Sequence, residues 1–306
     1  MPKIKILTDS ASDITAKDAK GLEIEILNIG LEVDGKLYRD RKDFTPEQYH
    51  TILKSSKTPP IAKAVSREEY LDAYTRALDE GFSHVIVVTM DSGSGSTFEN
   101  ARTAREKLYE VKPDAGSQIG IYLIDSQTHS MAYGYPIIQA AKLAKEGTQF
   151  AQILAYLGDW FSTVEIHLGV LNLEQAKKRG QVKAGSALIG SLLSVKPIVS
   201  IIEGRVEVVD QVRGEKAVAP RLLESFQSRC KHPDSPVFVI SGQDKTQADT
   251  LAELIAEKTG RPTPVFLAGA GVLSNVGSRP LGLVFHGAAR QTAGNQPANA
   301  HQEQDR

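Results

Sequence analysis

Short apolar runs alternate with helix-length segments along the first half of the chain, and this alternation restricts the possible folds more than any other feature. Runs rich in β-branched residues at 4–8, 84–90 and 119–124 have the length and composition of buried strands. Strands that are separated by helices pair in parallel, because each helix returns the chain to the same end of the sheet. The pattern therefore predicts an α/β fold whose first half is a parallel sheet under helical cover.

Local signals indicate where some helices and turns begin. Thr45 followed by Pro46 is typical of an N-cap and a first helical position, and Ser66 followed by Glu69 predicts a capping box. The Asp-Gly pair at 34–35 lies between two strand-like runs and predicts a hairpin turn.

The pattern changes near residue 150, where an amphipathic helix is predicted at 150–161. Strand-like runs follow it at 164–171, 198–202, 206–212, 237–240 and 264–267. Only a short Glu-Gly-Arg turn separates the second run from the third, which predicts an antiparallel pair and hence a mixed sheet.

The length of 306 residues exceeds the usual size of a single core, so two domains are expected. We predict an N-terminal α/β/α domain with a parallel sheet at 1–155 and a C-terminal α/β domain with a mixed sheet at 156–288. Residues 289–306 are polar and have no apolar period, which predicts a disordered tail.

The charges nearly cancel, with 36 Lys and Arg against 37 Asp and Glu, so nothing favours a nucleic-acid partner. The single cysteine, Cys230, excludes an internal disulfide and fits a reducing compartment. The N-terminus lacks the apolar segment of a signal peptide, and no apolar run has the ~18 residues that a membrane span needs. We therefore expect a cytoplasmic protein without stable membrane insertion.

Catalytic and cofactor motifs are weak or missing. Gly269-Ala270-Gly271 is similar to a dinucleotide fingerprint, but Ser274 stands where glycine or alanine is needed. His167 and His286 lie in apolar runs, where a structural role is the better interpretation. We therefore expect no cofactor and no metal, and these motifs do not indicate a particular enzymatic reaction.

Polar residues follow three of the predicted strands, at 9–13, 91–97 and 125–126. The carboxyl ends of parallel strands meet at one edge of a sheet, where ligands bind. A Gly/Ser loop that leads into a helix offers N–H and O–H donors to a carboxylate or phosphate. Plain N-capping is the alternative, but it needs only one of Ser92, Ser94 and Ser96, so an anion site is favoured.

Five segments of this sequence, in order and spacing, resemble the DegV family of fatty-acid-binding proteins. They are ILTDSASDI at 6–14, NIGLEVDGKLYRDRKDFT at 28–45, LIDSQTHSMAYG at 123–134, SALIGSLLSVKPIVSIIEGRVEVVDQVRG at 186–214 and PLGLVF at 280–285. The resemblance implies the two-domain fold predicted above, with one long-chain fatty acid such as palmitate held between the domains. It also implies a carrier rather than an enzyme, one that presents its ligand to a fatty acid kinase.

The resemblance also implies roles for particular residues. The tunnel wall is expected at Ala187, Ile189, Leu192 and Leu193. The carboxylate is expected near Ser92, Gly93, Ser94, Gly95, Ser96, Thr97, Ala62, Lys63 and Asn275. The kinase is expected to contact Arg213 and Lys216, although a solvated arginine at a strand end is an equally good interpretation of Arg213.

Several head-group residues differ from the family pattern. A Thr-Ser-x-Pro-Ser element is replaced by the segment 62–66, and a Thr-His pair by Ser274-Asn275. The second Ser-Gly of the loop is reversed, and a Gly-Gly-Arg element ends in Gln181. We therefore expect Ser94 or Ser96, with the N–H groups of 93–97, to act as substitutes.

Two other functions remain open from the sequence. A serine of the loop at 92–97 could serve as the nucleophile of an acyl hydrolase if folding brought His129 near it. The same loop could instead bind phosphate or a sugar in a regulatory protein.

Overall fold

The computed structural model describes residues 2–171, 194–202 and 205–289. The strands of its N-terminal sheet are β1 (Ile4–Asp9), β2 (Ile24–Leu27), β6 (His84–Thr89) and β7 (Gly120–Asp125). They follow the order β2-β1-β6-β7, and every pair is parallel. The central strands β1 and β6 are buried along almost their whole length, because helices cover both faces. The predicted parallel sheet is confirmed.

Seven helices of this half are described, and the two with predicted capping signals begin where those signals indicate. The seven helices are α1 (Ala16–Ala19), α2 (Pro46–Ser55), α3 (Arg67–Asp79), α4 (Thr97–Val111), α5 (Ala115–Gln118), α6 (Met131–Lys145) and α7 (Phe150–Thr163). Thr45 and Ser66 each form a reciprocal capping box with the side chain three residues on.

A small antiparallel sheet lies beside the parallel one, in the order β4-β3-β5. Its strands are β3 (Gly30–Val33), β4 (Lys36–Arg39) and β5 (Ile61–Lys63). The predicted hairpin turn is confirmed, with Asp34 at φ 50° and Gly35 at φ 80°. Strand β5 was not predicted, since its three exposed residues carry no alternation.

The C-terminal sheet is mixed, as predicted. Its strands are β8 (Val164–Val170), β9 (Val195–Ile202), β10 (Arg205–Arg213), β11 (Phe238–Ser241), β12 (Val265–Leu267) and β13 (Pro280–His286). They follow the order β10-β9-β8-β13-β11-β12, in which only the pair of β11 with β12 is parallel. The helices described in this half are α8 (Val218–Arg229), α9 (Thr246–Thr259) and α10 (Ala270–Val276).

Strand β10 forms one edge of this sheet and pairs only with β9 among the described strands. Its ladder shifts register between Val208 and Asp210, which is the mark of a β-bulge. Val208 lies on this edge with 67% of its surface exposed.

One hydrophobic cluster joins the two large sheets. It contains Ile6 and Val87 of the N-terminal sheet together with Ile166 and Val284 of the C-terminal sheet. A second cluster fills the opposite face of the C-terminal sheet, beneath α8 and α9. The predicted division at residue 155 falls inside α7, which packs against α6, and this division stays a prediction.

No helix within 2–171, 194–202 or 205–289 has the length and apolar character needed to span a membrane. Residues 290–306 of the predicted tail lie outside the described residues.

Candidate functional site

The polar segments that follow β1, β6 and β7 meet at the carboxyl edge of the N-terminal sheet, as the sequence predicts. The Asp9 carboxylate accepts a hydrogen bond from the Met90 N–H at 2.8 Å. The Asp91 N–H donates to the Thr128 carbonyl oxygen at 3.2 Å. The three segments therefore form one connected polar region.

In the first part of the loop at 91–97, most hydroxyl and N–H donors already bond to carboxylates of the protein. Ser92 Oγ donates to Asp125 Oδ2 at 2.5 Å, and Ser94 Oγ donates to Asp91 Oδ2 at 2.7 Å. The N–H of Gly93 also donates to Asp91, at 3.1 Å. Burial raises the pKa of Asp91 and of Asp125 above the ordinary range of a carboxyl group. Neither the Ser92 nor the Ser94 hydroxyl hydrogen is left for a ligand in this arrangement.

The later part of the loop is different. Ser96 is exposed and makes no side-chain capping bond to any residue that the structure describes. Helix α4 begins at the next residue, Thr97, and its first-turn N–H groups carry the positive end of the helix dipole. The N-terminus of α4 is therefore the part of the loop best able to receive an anion.

The remaining predicted head-group residues lie on β5 and α10, which pack against each other. Lys63 Nζ pairs with a Glu32 carboxylate oxygen at 3.0 Å, so its charge is partly engaged. Asn275 is exposed, and its Nδ2 donates to the Gly271 carbonyl at 3.0 Å. Asn100, in the first turn of α4, donates to the Val65 carbonyl at 2.8 Å. Strand β5 and the residues just after it therefore contact both α10 and α4.

The residues expected to line the tunnel, Ala187, Ile189, Leu192 and Leu193, lie outside the described residues, as does Gln181. Arg213 and Lys216 are exposed at the end of β10, in the C-terminal half.

A cluster of buried acids lies behind the loop, and sequence reasoning missed it. Asp9, Asp13 and Asp40 are each at most 5% exposed. The guanidinium of Arg41 lies beside two of them, 3.4 Å from Asp13 Oδ1 and 3.8 Å from Asp40 Oδ2. Burial raises the pKa of all three acids, and that of Asp13 reaches about 6 although Arg41 acts to lower it.

Two of the buried acids, Asp9 and Asp13, accept hydrogen bonds from distant segments of the chain. Tyr133 donates its hydroxyl hydrogen to Asp9 Oδ1 at 2.7 Å. Asp13 accepts hydrogen bonds from the Ser130 hydroxyl and from the backbone N–H of Gly269. The sequence signal available was the acid at each end of the turn 9–13, which we grouped with the polar residues that follow strands.

His129 lies next to the loop, as the hydrolase hypothesis requires, with Nε2 3.1 Å from Ser94 Oγ. The roles are reversed, however. Because Ser94 gives its hydrogen to Asp91, Nε2 must donate to Ser94 rather than accept from it. Burial lowers the pKa of His129 to about 4, so the ring is neutral near pH 7. The geometry does not activate Ser94 as a nucleophile.

A second serine and histidine meet in the C-terminal half, beside a cavity of about 460 Å³. His167 lies 2.9 Å from Ser225 Oγ through Nδ1 and 3.1 Å from Glu165 through Nε2. Ser225 is inside α8, where backbone N–H groups are used by the helix and cannot form an oxyanion hole. We interpret this trio as a link between β8 and α8, in keeping with the structural role expected of His167.

The Gly-Ala-Gly segment has a packing role. A Cβ on Gly269 would lie 2.1 Å from Asp13 Oδ1, and one on Gly271 would lie 2.8 Å from the Ala11 Cβ. Both glycines are thus needed for the close contact of α10 with the turn after β1, which explains them without a nucleotide.

Comparison with known proteins agrees with this architecture. The family model described as "Uncharacterised protein, DegV family" matches residues 3–287. A DegV domain-containing protein of Clostridium perfringens is 27% identical over 262 residues, covering 84% of this chain and 88% of the relative.

Solved structures share the fold. The fatty-acid-binding DegV family protein of Streptococcus agalactiae has a TM-score of 0.80 at 24% identity, covering 94% of this chain and 100% of that one. The stearic-acid-binding protein of Eubacterium ventriosum has a TM-score of 0.76 at 22% identity, covering 93% and 98%. These likenesses concern the fold. Because the family model spans nearly the whole sequence, the chain belongs to the DegV family.

Proposed function

We propose that this protein binds one long-chain fatty acid, with its carboxylate at the N-terminus of α4 and its acyl chain between the two domains. The observation that carries the proposal is the exposed Ser96 hydroxyl beside the first-turn N–H groups of α4. Proteins of the same fold from Streptococcus agalactiae and Eubacterium ventriosum bind fatty acids, which supports the choice of ligand.

The carboxylate is proposed to contact Ser96 and the N–H of Thr97 rather than Ser94. This revises the expectation that either serine would serve, because the Ser94 hydroxyl hydrogen is already donated to Asp91. Ser94 would then support the loop, while Lys63 and Asn275 approach from β5 and α10.

Energetics favour the acyl chain as the main source of affinity. Burying a chain of some sixteen carbons contributes on the order of 10 kcal/mol before association costs, whereas one charge-assisted hydrogen bond contributes about 1.5–3 kcal/mol. Changes at the head group should therefore weaken binding without abolishing it. The wall expected at Ala187, Ile189, Leu192 and Leu193 remains part of this proposal.

The role as a non-catalytic carrier that presents the fatty acid to a kinase is proposed from family membership. Arg213 and Lys216 are exposed and suit contact with an acidic partner. Location in the cytoplasm stays a prediction.

The first test is direct. Native mass spectrometry of the purified protein should show one bound fatty acid, and titration of delipidated protein with palmitate should saturate at one equivalent. Absence of binding in both measurements would contradict the proposal.

The second test concerns the head group. Ser96→Ala should weaken palmitate binding about tenfold, as expected for one lost charge-assisted hydrogen bond. Ser117→Ala, at an exposed serine that bonds only within its own turn, is the matched control and should bind like the wild type. Equal affinity of both variants would assign Ser96 to the helix terminus alone.

A further inference from the structure

Helix α10 of the C-terminal half docks onto the N-terminal half at the turn that follows β1. Its N-cap residue, Gly269, donates its backbone N–H to the Asp13 carboxylate. Farther along the helix, Ser274 Oγ lies 2.6 Å from the Tyr49 hydroxyl, and both groups are buried. The two contacts hold the helix at both of its ends.

Asp13 is the point where four segments meet. The carboxylate accepts from Ser130 at the start of α6, from Arg41 in the loop after β4 and from Gly269 at the start of α10. Asp13 itself belongs to the turn after β1. Its side chain is 2% exposed, so water cannot replace these partners.

The backbone around this point is unusual. Asp13, Arg41 and Ser130 all have φ between 58° and 60°. Residues other than glycine seldom adopt this left-handed backbone conformation. Such conformations persist only where surrounding contacts fix them. Asp13 and its two side-chain donors, Arg41 and Ser130, are therefore held in one fixed backbone geometry.

We infer that Asp13 is a positioning residue for the ligand site, which fixes α10 against β5 and so sets the place of Asn275 relative to the loop at 91–97. The effect on ligand binding rests on the proposed function. The docking of α10 by Asp13 does not, and we call it the geometric part of the inference. The charged and titratable groups that act with Asp13 are Arg41, Asp40 and Tyr133. Helix α10 adds no titratable group, because its sequence AGVLSNV has no titratable side chain, and its N-cap Gly269 contributes a backbone N–H.

The geometric part is tested without ligand by Gly269→Ala. Gly269 has φ −91°, which any residue adopts, so the new methyl group acts only through its clash with Asp13. Gly158→Ala in α7 is the matched control, since nothing lies within 4 Å of its Cβ. Hydrogen exchange of the Leu273 and Gly277 N–H groups of α10 should rise about tenfold in the first variant and not in the second.

If Gly269→Ala is unstable, a double-mutant cycle with Asp13→Ala still tests the contact through the hydrogen exchange of α10. In the Asp13→Ala background the clash is removed, so adding Gly269→Ala should cause little further exchange. Unchanged exchange of α10 in both single variants, or strict additivity in the double variant, would overturn the inference.

The positioning role is tested by the pH profile of palmitate affinity in wild type and Asp13→Asn. Asn keeps an acceptor for Gly269 but has no charge for Arg41. Because the pKa of Asp13 is about 6, about nine-tenths of this carboxyl group is ionised at pH 7 and about one-tenth at pH 5. An affinity that requires the ionised form should therefore fall about tenfold over that range, beyond any fall in the variant. Titration of the ligand itself affects both proteins equally.

The outcomes separate the two proposals. If no fatty acid binds the wild type at any pH, the proposed function fails while the exchange result still decides the docking of α10. If both proteins bind with the same affinity and the same pH profile, Asp13 does not position the site.

Discussion

At the scale of single residues, the candidate site contains buried acids whose partners come from distant parts of the chain. Asp9 bonds to Tyr133, and Asp13 bonds to Ser130 and Gly269. Local sequence can show that an acid follows a strand, but not that folding will bury it. This is why the buried cluster could not be predicted, whereas the N-caps Thr45 and Ser66 could: a cap is completed within three residues.

The raised pKa of Asp13 predicts a pH dependence of stability. The folded protein holds this proton more tightly than the unfolded chain, so the resulting stability is present below about pH 4 and is lost as the pH rises through about 6. A pKa of about 6 against the ordinary 3.8 corresponds to about 3 kcal/mol. Asp13→Asn should therefore show a shallower fall in unfolding free energy between pH 4 and 7.

Urea denaturation at several pH values measures this difference. Asp114→Asn, at an exposed aspartate, provides the control and should keep the wild-type slope. Because burial also raises the pKa of Asp9 and Asp40, part of the slope should remain in Asp13→Asn. Parallel curves for the variant and the wild type would show that Asp13 is not a titrating group.

At the scale of elements, most of the helices and strands follow from local pattern. The β3–β4 hairpin was predicted from its Asp-Gly turn, and the β9–β10 pair from its short connection. The neighbours of β13 were not predicted, because β13 inserts between β8 and β11 from the far end of the chain. The position of the loop 91–97 at the carboxyl edge of the sheet was predicted, but tertiary bonds to Asp91 and Asp125 decide which serine hydroxyl is available.

The hairpin provides a test of turn chemistry. Gly35 has φ 80° with open space around its Cβ, so Gly35→Ala should cost about 1 kcal/mol through backbone strain alone. Gly158→Ala lies in the interior of a helix with equal space and should instead stabilise the protein by about 0.5–1 kcal/mol. Thermal unfolding of the two variants should thus shift in opposite directions, and a shift in the same direction would contradict the assigned turn.

At the scale of the whole molecule, a shared core joins the two sheets. Trp160, the sole tryptophan, belongs to this core, and its Nε1 donates to the Ala132 carbonyl at 2.8 Å. Two halves that share buried side chains should unfold together rather than in succession.

Cooperative unfolding can be measured directly with this residue. The fluorescence of Trp160 reports on the core shared by the two sheets, whereas far-UV circular dichroism reports on all helices and strands. The two signals should give the same urea midpoint, and Trp160→Phe should lower that midpoint while leaving a single transition in the circular dichroism. Separate midpoints in the wild type would indicate two halves that unfold independently.

The β-bulge of β10 affects how the molecule behaves at high concentration. A regular outer strand presents evenly spaced N–H and C=O groups to which a strand of another molecule can add. The extra residue between Val208 and Asp210 breaks that spacing, and Asp210 and Arg221 place a salt bridge beside it. Among the strands that the structure describes, the exposed Val208 therefore lies on an irregular edge, and we expect the bulge to disfavour aggregation through this sheet.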